Sequence, residues 1–356
     1  MKNLSPLPLA EFESLDNRDI WRALTTAHRH LAELKGLCES LPNRAILLDT
    51  LSIQEAKDSS EIENIISTHD EIYSSQPNDA VSASAKEVRH YANALRVGYE
   101  SVRETGLIRV ETILKVHSEL EQHRTGFRTL PGTKLKNEMT GEVVYEPPQD
   151  AQVIESLMHN LVDFIHTVDE LDPLLKMAIT HHQFESIHPF YDGNGRTGRI
   201  LNLLMLQQSQ LLDLPVLYLS RYITSNKPEY YRLLQSVRQK NRWQEWCLYL
   251  LQGVATTSRS TIRTIKAFRD LMAETEQTLR KQAPKIYSRD LLNLIFRYPY
   301  TRIEFVERDL GVSRVTASKY LNHLARQQIL TKKRVGKRYY FINTPLFELL
   351  SQVELD

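Results

Sequence analysis

"HPFYDGNGRTGR", His188–Arg199, packs a histidine, an aspartate, three glycines, an asparagine and two arginines into twelve residues. Such a run is costly to bury in a core and too regularly spaced for a linker. Gly193, Asn194 and Gly195 stand directly before a strongly apolar stretch, "ILNLLMLQQSQLL", that reads as a central helix. A Gly-x-Gly turn at a helix N-terminus can point successive backbone N–H groups into one concavity, which makes an anion site. Arg196 and Arg199 are three apart and share one face of the first helical turn. Two guanidinium forks beside a backbone nest describe a polyphosphate cradle. Asp192 can hold magnesium through oxygen. His188 is the one group of the run able to exchange a proton near neutral pH. Phe190 and Ile187 read as anchors of the loop in the core. The chemistry this suggests is phosphoryl transfer: His188 takes the proton of a hydroxyl, the hydroxyl attacks phosphorus, and a diphosphate leaves.

Other phosphate and metal motifs are absent. There is no GxxxxGK[ST] loop, and no GxGxxG following a strand. His181 and His182 precede the run but form no HExxH pattern, and they read as a core or capping pair on a helix. Cys38 and Cys247 sit in no CxxC pattern, which predicts neither a disulfide framework nor a zinc site.

The remaining chain is ordinary for a globular protein: 356 residues, 41% hydrophobic and 25% charged, with a formal net charge of +1. The N-terminus lacks a charged-then-apolar leader layout, and no apolar run reaches membrane-spanning length, so the expectation is a cytoplasmic protein with no membrane partner. Helical spacing dominates. "RDIWRALTTAHRHLAELKGLCESL" has apolar residues at Trp21, Leu24, Ala27, Leu31, Leu34 and Leu37. "NRAILLDTLSIQEAKDSSEIENI", "IESLMHNLVDFIHTV" and "PLLKMAITHHQFESI" repeat the pattern, the last opening at Asp172-Pro173 as a proline in the first turn should. One stretch, "TKLKNEMTGEVVYEPP", reads as a hairpin, with strands at 134–136 and 143–145 and Pro147-Pro148 closing it. From Ala283 to Pro345 there are thirteen Lys/Arg against four Asp/Glu, a local +9 that the rest of the chain offsets. That asymmetry marks a separate C-terminal module.

The run at 188–199 resembles the Fic family motif, HxFx(D/E)GNGRxxR, with every fixed position filled. The segment "GFRTLPGTKLKNEMTGEVVYEPP" looks like the family's arginine-plus-flap. The resemblance covers about residues 5–250 and implies a mostly helical core with a small hairpin flap. It also implies transfer of AMP from ATP to a Ser, Thr or Tyr hydroxyl of a target protein or of the chain itself. Carried over position by position, His188 is the general base and Asp192 the Mg²⁺ ligand. Gly193, Asn194 and Gly195 would cradle the α- and β-phosphates, Arg196 would contact the phosphates, and Arg199 would clamp the γ-phosphate. Tyr230 and Tyr231 are candidate nucleoside contacts. The hairpin from Thr133 to Tyr145, with Thr133, Lys134 and Leu135 as its target-docking residues, is similar to the flap that registers a target by strand addition. Intact GNGR and the acid at 192 speak against the divergent kinase-like and phosphocholine-transferring branches. "SSEIEN" fits the family's inhibitory signature, (S/T)xxxE(G/N), through Ser59, Glu63 and Asn64. The resemblance implies that Glu63 competes with the γ-phosphate for Arg199.

"VERDLGVSRVTASKYLNHLARQQIL" is similar to a helix-turn-helix, with its turn at Gly311 and a second helix from about Ser313 to Gln327. "TKKRVGKRYYFI" would be the wing, with Gly336 at its tip. Arg314, Thr316, Ser318 and Lys319 stand where base contacts are made. Lys332, Lys333, Arg334, Lys337 and Arg338 would meet phosphates. The division expected is an N-terminal helical region at 1–105, a catalytic core at 106–255, a connecting helix at 256–282 and a winged helix at 283–356. Expected partners are ATP, a protein with an acceptor hydroxyl, DNA, and a second copy of the chain. The rivals are a DNA-binding regulator whose core only senses nucleotide, and an enzyme transferring another nucleotide or phosphate.

Overall fold

The structure, a computed structural model, describes residues 4–39, 44–74, 82–123, 126–136, 140–167, 170–335 and 338–351. It is mostly helical, with two small antiparallel sheets. The N-terminal region holds α1 (Arg18–Glu39), α2 (Arg44–Ile62), the short α3 (His69–Ser74) and α4 (Ala83–Thr105). The core continues with α5 (Val110–Glu121), the hairpin β1 (Leu135–Lys136) and β2 (Val143–Tyr145), then α6 (Ala151–His166), α7 (Pro173–Ile187) and α8 (Asn194–Gln208). After these come α9 (Leu219–Ser225), α10 (Lys227–Lys240) and the 40-residue α11 (Trp243–Gln282).

The centre is α7 against α8. Every residue of α7 from Leu174 to Ile187 is buried, and so is nearly all of α8. Asp172 caps α7 by accepting from the Leu174 N–H at 2.8 Å, and Pro173 occupies the first turn. His181 and His182 are core residues, as their place on this helix suggests. His181 Nε2 meets the Tyr230 hydroxyl at 2.8 Å, and its ring stacks on Trp246. Burial holds both imidazoles neutral, His181 down to about 3. α4 and α5 pack outside α8, and α1 lies along α11. Trp21 departs from its expected stripe: it is 54% exposed, with its indole N–H donating to Asp16 at 2.6 Å. α11 runs without a break through the expected boundary at 255, so the connecting helix is the second half of a core helix.

The C-terminal module consists of α12 (Arg289–Arg297), β3 (Tyr300–Thr301), α13 (Ile303–Leu310), α14 (Arg314–Arg326), β4 (Thr331–Val335), β5 (Arg338–Ile342) and α15 (Thr344–Ser351). Gly311 turns the chain in the left-handed region at φ 63°, and Ser313 caps α14. The sheet order is β3-β5-β4, with Lys332 opposite Phe341 and Lys333 opposite Tyr340. Helix, turn, helix and two paired strands thus follow in the expected order, while β3 and α15 are elements too short to stand out in the sequence. Gly336 and Lys337, expected at the wing tip, lie outside the described residues. Among the described residues no helix is long and apolar enough to cross a membrane. Cys38 and Cys247 are both buried.

Candidate active site

α7 ends at His188, which takes the left-handed conformation at φ 51° while its N–H closes the helix on the Phe184 carbonyl at 2.9 Å. A non-glycine residue there needs support from its surroundings, and Arg128 supplies it. Its fully buried guanidinium donates from Nε to the His188 carbonyl at 2.8 Å, and also to the carbonyls of Pro148 and Ile187. The loop that follows is tied to itself. Asn194 accepts from the Phe190 N–H at 2.8 Å and donates to the Phe190 carbonyl at 2.9 Å. Phe190 is buried and stacks on His117, whose Nε2 meets the Asp192 carbonyl at 3.1 Å.

Gly193 sits at φ 72°, where a side chain would be strained, and α8 starts immediately after it. The first-turn N–H groups of α8 have no acceptor within the helix and face the loop's concavity. Asn194 contributes to this nest through its backbone, because its side chain is spent on Phe190.

A cavity of about 820 Å³ opens over the end of α7. His188, Gly195 and Arg199 form one wall, and Lys134, Leu135, Lys136 and Val144 of the hairpin form the opposite one. α10 closes the third side with Tyr230, Tyr231 and Arg238. Tyr230 is buried with its hydroxyl on His181, while Tyr231 is 43% exposed. Thr133 stays outside the wall, its carbonyl accepting from Gln149 at 3.0 Å. Asp192 also lies outside it, exposed on the loop, with Oδ1 accepting from the Gly193 N–H at 2.7 Å.

The two motif arginines diverge. Arg199 turns to α2: Nε donates to Ser59 Oγ at 2.8 Å, and one terminal nitrogen donates to the Ser59 carbonyl at 3.0 Å and to Glu63 Oε1 at 2.9 Å. Burial opposes its charge, but the Glu63 carboxylate, with Tyr230, Tyr91 and Glu185 around it, outweighs that and holds it firmly protonated. The Glu63 carboxylate lies directly over Gly195, in the space a side chain there would enter. Asn64 ends this segment at φ 59° and accepts from Lys227 at 3.0 Å, which accounts for an Asn or Gly at that place.

Arg196 points elsewhere, to Glu87 of α4 at 2.5 Å and to Glu121 of α5 at 2.9 Å beside Gly193, and it does not line the cavity.

His188 is held down to about 3, first by burial and then by Arg238 and Arg128. Its imidazole is therefore neutral at pH 7 and free to accept a proton. Arg238 was not singled out by its sequence neighbourhood. It is half-buried, donates to Ser186 Oγ at 3.1 Å and to the Glu185 carbonyl at 3.0 Å, and covers the Tyr145 ring at 3.9 Å. Tyr145 in turn donates to the Ser186 carbonyl at 3.0 Å, so the flap is pinned beside His188. Glu185, on the cavity floor, is pushed up to about 7 by burial.

The proposed DNA-facing residues lie at the surface of the module, but several are engaged. Arg314 pairs with Glu304 at 3.4 Å, Lys332 donates to Asn322 at 2.8 Å, and Lys333 stands 3.5 Å from Asp70. Arg334 lies over Tyr339, and Lys319 is exposed.

Comparison with known proteins agrees with this geometry. Residues 21–100 match the Fic/DOC family N-terminal model, residues 107–206 the Fic/DOC family model, and residues 271–346 the C-terminal domain of SoFic-like protein adenylyltransferases. A probable protein adenylyltransferase of Aquifex aeolicus is 29% identical over 184 residues, 50% of this chain and 55% of its own length. The fic-1 protein adenylyltransferase of Caenorhabditis elegans is 32% identical over 100 residues, 26% of this chain and 20% of its own. The chain thus spans about half the length of the first relative and a fifth of the second. A Fic family protein from Desulfovibrio desulfuricans superposes with a TM-score of 0.59 at 19% identity, covering 96% of this chain and 98% of that one. With the two Fic/DOC models followed by the SoFic-like C-terminal model in order along it, the chain belongs to the Fic/DOC family.

Proposed function

We propose that the protein transfers AMP from ATP to a Ser, Thr or Tyr hydroxyl of a target protein or of itself, and that Glu63 inhibits it. The observation that carries the reading is the cavity wall. A neutral imidazole, the nest at the start of α8 and a buried arginine face one space beneath a β-hairpin. The acceptor hydroxyl gives its proton to His188, and its oxygen bonds to the α-phosphorus. The bond from that phosphorus to the α–β bridging oxygen breaks, and diphosphate leaves. The α8 N–H groups and Arg199 hold the charge of the phosphates. The edge of the flap positions the target's backbone.

The chain's donor set suits magnesium. Asp192 presents one exposed carboxylate, and no group of three metal-ligating side chains exists among the described residues. Magnesium characteristically binds through one or two carboxylates together with substrate phosphates. Bound there, it would draw charge from the departing diphosphate.

In the closed arrangement Glu63 takes the guanidinium that the γ-phosphate needs. Cations on α14 and the wing favour DNA as a further partner of the module. The direct test is purified protein with Mg²⁺ and ATP labelled at the α-phosphorus. Protein-bound label supports the reading. Label only from the γ-position means phosphate transfer, and no label on any protein means a nucleotide-sensing core.

A further inference from the structure

The helix that leads to Glu63 is gripped by the C-terminal module as well as by the core. Arg297, the last residue of α12, donates from Nε to Asp49 on α2 at 2.6 Å. α15 also packs on α2. Directly after α2, the short α3 lies against the wing sheet. Asp70 accepts from the Tyr300 hydroxyl and stands 3.5 Å from Lys333 Nζ. Tyr73 stacks on Tyr300 with ring centres 6.3 Å apart, and meets Phe347 edge-on at 6.2 Å. Tyr300, Tyr340 and Ile342 form an apolar cluster of their own, separate from the main core, and Tyr73 packs against it. The Tyr73 hydroxyl is then reached by Gln54 of α2 at 2.9 Å, which links the cluster back to the inhibitory helix.

The strand register divides the wing's cations. Lys333, opposite Tyr340, meets Asp70, whereas Lys332, opposite Phe341, reaches Asn322 of α14. A phosphate at Lys333 therefore competes with the Asp70 carboxylate for that cation. A polyanion binds the wing better once α3 has moved away. Whatever binds one state better shifts the balance toward it, and the coupling is reciprocal.

We propose that the C-terminal module braces the inhibitory helix in its closed position, and that duplex DNA seated on α14 and the wing releases the brace. This rests on the reading that Glu63 inhibits AMP transfer. Duplex DNA is the polyanion that fits, because the exposed second helix of a helix-turn-helix and a fully exposed basic strand β4 lie on one module.

The test uses the full chain, α-labelled ATP and a mixed-sequence DNA duplex. Arg297→Asp should raise the rate of AMP transfer several-fold. The swap Arg297→Asp with Asp49→Arg should return it to the parent's rate, which a merely damaged fold would not do. Added to Glu63→Gly, Arg297→Asp should change nothing, because both act on one step. DNA at low salt should accelerate the parent, leave Glu63→Gly unaffected, and lose its effect as salt rises. The brace is overturned if Glu63→Gly is faster than the parent while Arg297→Asp is not. DNA release is overturned if the duplex fails to bind, or binds with no change in rate. A Glu63→Gly variant no faster than the parent removes the inhibitory reading itself, and the brace with it.

Discussion

Glu63 and Arg199 meet at 2.9 Å at the cavity wall, the arginine side chain 2% exposed and the glutamate 36%. One partner is in the core and the other at its edge, so the pair is worth more than a surface contact and less than a fully buried one. Glu63→Gly should therefore speed AMP transfer about 10- to 100-fold, if that energy keeps the site closed. Arg199→Ala should be inactive, and the double variant equally so, because the open state needs the guanidinium for the γ-phosphate. Rates of label incorporation for the three variants decide this.

His188→Ala should lower transfer by about 10²- to 10⁴-fold while ATP binding, followed by calorimetry, is retained. The imidazole is held down to about 3, and the neutral form is the active one. Protonation of His188 therefore should not reduce the rate between pH 8 and about pH 5, and loss should come only on further acidification. A fall centred near pH 6.5 would show that the histidine is not shielded in this way.

Arg196 and Arg199 should fail differently. Arg196→Met leaves Glu121 and Glu87 facing each other without their cation. A broken, largely buried pair costs about 3 kcal/mol, visible as a lower melting temperature. Arg199→Met should lose activity first, since its charged partner Glu63 sits at the cavity's edge and can turn to water.

Glu55 on α2 is buried, accepts from the Ser220 N–H at 3.1 Å, and is pushed up to about 7 by burial. Between its ordinary value of 4.5 and about 7 the folded state keeps a proton that the unfolded state releases. Its contribution is thus present at low pH and lost as pH rises through about 7. The stability of Glu55→Gln relative to the parent should grow between pH 4.5 and 7 and level off above, by roughly 3 kcal/mol in all. Melting temperatures across that range would show it, and a constant difference would refute it.

How much of this could be read from the sequence depends on how local each relationship is. The motif's polar density announced a loop and a cradle, and helical spacing gave α1, α2, α6, α7 and α8 closely. The hairpin stood out because its turn residues break that spacing. The carboxylates that hold Arg196 are 109 and 75 residues away, and nothing near position 196 marks them. Arg238 was missed for the same reason: its partners lie on α7 and the flap. Trp21 fits the apolar spacing of α1 but falls at its rim. That the winged module rests on α2 and α3 through Arg297, Tyr300 and Lys333 has no local signature at all.

α2 is unevenly upholstered. Its first half buries Ile46, Leu47 and Leu51, whereas the half that leads to Glu63 buries Gln54, Glu55, Asp58, Ser59 and Ser60, with Ala56 and Ile62 its small apolar share. Peeling back that second half hands mainly hydroxyls, an amide and carboxyls to water, groups that water solvates readily. The α2 side of the opening step should then add little to the heat-capacity change, since that quantity follows exposed hydrocarbon. The apolar share of the latch lies instead where Tyr73 leaves Tyr300 and Phe347, so the temperature dependence of its grip is set by α3 and not by the half of α2 that bears on the site.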